Sequence, residues 1–171
     1  MKIALIALLF ALAALAQAQT AGLPTACGPK DAGFDVKLDK SQQTPAPPEP
    51  GKAQVYFIRD DGLSGAIGRL GYPSTKIGID GVWVGASLGN SYFSVSVVPG
   101  EHHVCMNLDS RHYEHKVELA HFTAETGKVY YFRTRLIAAQ NLNYLDLIPV
   151  DSDQAKYLIA SYPLSVSRAR K

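Results

Sequence analysis

The sequence predicts an all-β fold, two antiparallel sheets packed as a sandwich, closed by one short C-terminal helix. Short runs rich in Val, Ile, Tyr and Phe recur from Ala53 to Val150, and closely spaced runs of this kind separated by turn residues are the mark of a sandwich. Asp80-Gly81 and Pro99-Gly100 punctuate the runs and supply the backbone reversals that hairpins need. Inside several runs apolar and polar residues alternate, which gives a strand one face for a core.

The chain has 171 residues and begins with an export pattern. Lys2 is a short positive region, Ile3 to Leu15 are apolar, and Ala16-Gln17-Ala18 is a small-x-small cleavage pattern. Residues 1–18 are therefore expected to be a signal peptide cut near Ala18-Gln19, with the mature protein exported to the periplasm or secreted. The apolar run is shorter than the roughly 20 residues that cross a bilayer, so no transmembrane segment is expected in the mature chain. A lipoprotein signal would place its Cys directly after that run. Cys27 comes later and Pro24 stands where such a signal wants Leu, so no lipid anchor is expected.

Residues 19–50 form an N-terminal segment. Phe34, Val36 and Leu38 alternate as a short strand, and Thr44 to Pro50 (TPAPPEP) is a proline-rich, extended linker. The sandwich is expected over residues 51–162. Its strands fall at Ala53 to Ile58, Lys76 to Ile79, Val82 to Gly85, Tyr92 to Val97, His102 to Leu108, His115 to Phe122, Val129 to Ile137 and Leu142 to Val150. Phe93, Val95, Val97, Tyr130, Phe132 and Leu136 are the expected inward residues. Asp151 can cap the helix, Gln154 takes the third helical position, and Pro163 stops it. Residues 163–171, basic and short, read as a disordered tail.

Removing the signal leaves about 150 residues, enough for one domain with its own core. Of the 17 basic residues Lys2 departs with the signal, so the rest nearly balance 15 acidic ones. Such a balance argues against nucleic acid as a partner. Two cysteines in an oxidising compartment, without a metal-type C-x-x-C spacing, favour a Cys27–Cys105 disulfide. Val104, Met106 and Leu108 share one strand face, which leaves Cys105 on the other, free to meet the N-terminal segment. Closing so long a loop stabilises by about 4 to 5 kcal/mol on the chain-entropy model. The alternative is two separate buried thiols.

Gly51-Lys52-Ala53 before VYFIR, Asp80-Gly81 with Val84-Gly85, Tyr92-Phe93, Pro99-Gly100 with His102, and Gly127-Lys128 before YYFR together resemble the bacterial domain of unknown function 2846 family. The resemblance spans Gly51 to Val150, and the DG…VG…PGEH portion is also similar to PEGA surface modules. It implies a small exported or lipid-anchored sandwich, Ig-like or PEGA-like, without established chemistry. The motifs are turn glycines and core aromatics, which specify a fold more than an activity.

Candidate sites are few. Gly85-Ala86-Ser87-Leu88-Gly89 matches the G-x-S-x-G nucleophile elbow in letters, but an elbow needs a helix leaving the serine and here a strand follows, so Ser87 reads as a loop serine. His102, His103, His112, His115 and His121, with Asp109 among them, could hold zinc or copper. Adjacent strand residues point to opposite faces, however, and no metal site is expected. Tyr131, Arg133 and Arg135 form an outward ladder able to grip carboxylates or phosphates, unless Glu118 and Asp146 pair with it. In the loop Asp60 to Thr75, Leu63, Ile67, Leu70 and Tyr72 could form an adhesive tip, while Gly65, Gly68 and Gly71 lack the Lys-Ser/Thr and helix of a phosphate loop. The expected protein is a non-catalytic binding module of the bacterial cell envelope, with no cofactor, whose partner is an envelope protein or glycan. A structural accessory subunit of an envelope complex, and then a histidine metal protein, are the alternatives.

Overall fold

The computed structural model describes residues 26–41, 47–62, 73–110, 116–139 and 142–170. The export signal with its cleavage point, and Leu63, Ile67, Leu70, Tyr72, His112 and His115, lie outside the described residues.

Ten strands and one helix are described. In order they are β1 (Phe34–Asp39), β2 (Ala53–Arg59), β3 (Thr75–Ile79), β4 (Val82–Ser87), β5 (Ser91–Val97), β6 (Gly100–Leu108), β7 (Val117–Ala124), β8 (Val129–Ala139), β9 (Leu142–Pro149), α1 (Ser152–Ser161) and β10 (Leu164–Ala169). They build a six-stranded sheet in the order β1-β10-β5-β2-β8-β9 and a four-stranded sheet in the order β4-β3-β6-β7. The main core lies between the sheets: Val55, Phe57, Phe93, Val97 and Phe132 from the larger meet Ile77, Ile79, Val104 and Met106 from the smaller. The inward faces predicted for β5, β6 and β8 are those observed.

The larger sheet also carries a second, smaller core on its other face, where Tyr56, Ile58 and Tyr92 receive Ala155, Leu158 and Ile159 of α1. Strand β2 is therefore buried along its whole length. That explains its unbroken apolar run, because a strand covered on both faces has no polar side to alternate. Helix α1 starts as predicted: the Asp151 carboxylate accepts from the backbone N–H groups of Asp153 and Gln154. Those two donors hold the exposed Asp151 carboxyl below its ordinary range.

Three expectations need correction. The larger sheet is mixed, not antiparallel throughout: β2 runs parallel to β8, and β10 parallel to β5. Consecutive strands cross between the sheets, so strands distant in sequence become neighbours, and strand patterns carry no direction. The tail is not disordered, since β10 pairs antiparallel with β1 along Phe34↔Ala169 to Asp39↔Leu164. The strand of the N-terminal segment thereby joins the larger sheet instead of standing apart from the domain.

The turns follow the sequence closely. Asp80 and Gly81 both have positive φ, 50° and 84°, as a two-residue hairpin between β3 and β4 requires. Cys27 and Cys105 form a disulfide with Cα atoms 5.1 Å apart. It fixes residues 26–33 against the smaller sheet, where the Trp83 indole N–H donates to the Pro29 carbonyl at 2.7 Å and Lys76 Nζ donates to the Ala32 carbonyl at 2.8 Å. The same Nζ lies 4.5 Å from the centre of the Trp83 ring.

Candidate functional site

Three regions received sequence-level attention, and the structure treats them differently. The ladder Tyr131, Arg133, Arg135 does leave the main core, but its face is the one that α1 covers. Tyr131 stacks on Tyr56 with ring centroids 5.4 Å apart, and burial pushes its phenol up. Arg133 Nε is buried without a hydrogen-bond partner. Arg135 lies opposite Asp146 in the β8–β9 register, yet its ion pair is with Asp60, at 2.9 Å. The open ladder expected from sequence is therefore corrected to a partly covered row in which Arg135 is held by Asp60.

Arg135 belongs to a charged knot where β2 ends. Its Nε donates to the Asp60 carbonyl and its Nη2 to the Asp60 carboxylate, which also accepts from the Tyr162 hydroxyl at 2.8 Å. Burial alone would push the Asp60 carboxyl up. The Arg135 and Tyr162 hydrogen bonds outweigh it and hold the group below the ordinary carboxylate range. Burial and the bond to Asp60 push the Tyr162 phenol far up. Arg59, fully buried, donates from Nε to Asp61 at 2.7 Å and from Nη1 to the carbonyls of Pro73 and Ser87. Asp61 also accepts from the Leu136 backbone N–H, and its own N–H donates to the Asn90 side chain. Two arginines meet two aspartates, so the knot is balanced in charge and spends itself on joining the sheets. Sequence reasoning passed over Arg59, Asp61 and Asn90. The available signal was the Arg59-Asp60-Asp61 run closing an otherwise apolar strand.

Ser87 is the buried last residue of β4, and the chain re-enters a strand at Ser91, so no helix leaves it. Gly85 has a packing role: a Cβ there would lie 2.7 Å from the Phe93 ring. The histidines divide between faces as the alternation of β6 requires. His102 points inward, where Nδ1 meets Asp80 at 2.6 Å and Nε2 meets the Val98 carbonyl at 2.8 Å. His103 lies on the outer face with its ring centroid 6.5 Å from that of His121. Burial works against the Asp80 carboxylate, but the His103 backbone N–H and the His102 ring outweigh it and lower its pKa. Among the described residues no group of three or more His, Cys, Asp or Glu side chains is placed to hold a metal.

Among the described residues, a concave feature lies between β7 and the start of β8. There a cleft of about 350 Å³ is lined by Phe122, Val129, Tyr130, Tyr131, Pro149 and Ser152, among others. Two strand edges frame it. β7 ends the smaller sheet, and β9 pairs with β8 only from Phe132↔Pro149 onward, so the first residues of β8 have β2 on one side and no described strand on the other. The floor is held in place: Phe122 packs on Tyr130 at 5.0 Å, and the Tyr130 hydroxyl accepts from the Glu125 backbone N–H. Tyr131 is the residue of the sequence-level candidates that lines this cleft, and Arg133 and Arg135 do not. The described lining holds no Lys, Arg, Asp or Glu, and His121 of β7 is part of it.

These features define a two-sheet β protein with a charge-balanced knot where β2 ends and an aromatic cleft between β7 and the start of β8. Residues 49–144 match the family model described as protein of unknown function (DUF2846), more than half of the chain, and the protein belongs to that family. No curated protein and no solved structure matches it. Among the described residues no helix is long and apolar enough to cross a membrane.

Proposed function

We propose that this protein is an exported, non-catalytic binding module of the bacterial cell envelope, and that its binding site is the cleft between β7 and β8. The observation that carries this reading is the cleft itself. It is preformed, its aromatic floor is fixed by ring packing, and its size lies at the lower end of the range of ligand sites. Arg59 and Arg135 are engaged with Asp61 and Asp60, so these two arginines are poor candidates for a ligand patch. Export is supported by the apolar leader at residues 3–15 and by the Cys27–Cys105 disulfide, a bond that persists in oxidising compartments. The Asp80-Gly81, Val84-Gly85 and Pro99-Gly100-Glu101-His102 motifs along β3 to β6 support a PEGA-like variety of sandwich.

Ser152 is exposed at the start of α1 and lines the cleft, so Ser152→Trp should fill it while leaving the Asp151 cap in place. Wild-type protein should co-sediment with purified envelope fractions, and the Trp variant should lose most of that association. Equal sedimentation of both would overturn the reading. Arg135→Ala, which breaks the knot and leaves the cleft, should keep the association.

A further inference from the structure

We propose that the cleft seats an extended polypeptide segment, added as a short strand against the outward backbone groups of Val129 at the start of β8. The inference rests on the cleft being the binding site and names the class of its ligand. The direction of the backbone groups carries it. The Gln54 N–H donates to the Lys128 carbonyl, so the even-numbered residues at the start of β8 turn their backbone groups toward β2. The Val150 N–H donates to the Tyr131 carbonyl, so the odd-numbered ones turn theirs to the opposite side. Val129 therefore directs its N–H and C=O away from β2, where β9 has already ended at Pro149 and the chain has departed into α1. A backbone donor and acceptor beside a row of aromatic side chains is the arrangement that strand addition uses: main-chain bonds supply affinity and the adjoining pocket selects a side chain. A sugar ring could stack on the same floor, but it does not reproduce the spacing of a strand partner. The lining, aromatic and aliphatic apart from His121 and Ser152, sets the chemistry of the seated residue, which is apolar or aromatic.

Val129 is the first residue of β8, a position where proline is tolerated, and Val129→Pro removes the N–H in question while leaving the β2 pairing intact. The disulfide-bonded protein is used to select from a random-peptide display library. The same protein is titrated with a soluble oligomer of β-1,4-linked N-acetylglucosamine. We expect enriched peptides with uncharged apolar residues, whose binding falls about tenfold or more, over 1.4 kcal/mol, in the proline variant. No enrichment above bare support, or peptides that bind the proline variant equally, overturns the proposal. Should the proline variant fail to fold, as read by its melting transition, Ser152→Trp replaces it, and peptides that bind this variant unchanged overturn the proposal. Glycan binding that Ser152→Trp abolishes and Val129→Pro spares would overturn the added strand and keep the cleft. Failure of both probes would remove the cleft as well.

Discussion

Arg59 is a full charge in the interior, and its environment states what each neighbour is for. A buried ion pair contributes little net stability when whole, but leaving one member alone is costly. Asp61→Asn keeps the shape and strands the guanidinium, so it should destabilise by about 3 to 5 kcal/mol in urea unfolding. Thr134, opposite Arg59 in the parallel register, has a buried hydroxyl without a partner, as Thr75 has on the facing sheet. An unsatisfied hydroxyl is a cost in the folded state, and Thr134→Val should raise stability by up to about 1 kcal/mol. Asp60 contributes to the acid limit. Its folded pKa is depressed, so its contribution is fully present above the unfolded value of about 4 and is lost as pH falls through the folded one. Tyr162→Phe removes one of the bonds that depress it. The fall in melting temperature between about pH 5 and pH 2 should be shallower in that variant than in wild type.

At the scale of elements, β10 was the strand that sequence concealed, for a definite reason. In SVSRAR the buried position is Ser165 and the exposed one is Val166, the reverse of hydrophobic alternation. Ser165 shares a buried hydrogen bond with Ser91, and the Ser167 hydroxyl accepts from the Ala86 N–H, so polar contacts direct the strand inward. Strands that bury apolar residues, such as β5, β6 and β8, were legible together with their inward faces, and so was the Asp80-Gly81 hairpin. The helix was legible through its cap, but what it covers was not, and for that reason the Tyr131-Arg133-Arg135 face was misjudged as open. The cleft was illegible because it depends on where β9 stops relative to β8, a matter of register between strands. Because β10 lies between β1 and β5, a stop codon after Tyr162 should detach β1 as well. Hydrogen exchange of the Phe34–Asp39 amides should then approach the rates of an unstructured chain, while the β2–β8 ladder stays protected.

Across the described residues, the disulfide and the β1–β10 ladder do related work, because both tie the segments flanking the main strands to the two sheets. Residues 26–33 lie on the smaller sheet, under the Trp83 side chain, and a few residues later the same segment enters β1 of the larger sheet. The N-terminal strand thus connects the two layers from outside the core. The bridge spans 78 residues, so its loss relaxes a long loop in the unfolded chain, worth about 4 kcal/mol on the entropy account. The folded state loses less, since Trp83 and Lys76 still hold Pro29 and Ala32, and β1 keeps its ladder with β10. A Cys27→Ser, Cys105→Ser double variant should therefore retain both sheets by circular dichroism and unfold at markedly lower urea. Exchange should quicken near residues 26–33 and not in β1. Rapid exchange throughout β1 as well would mean that the covalent bond, and not the ladder with β10, holds the N-terminal strand in the larger sheet.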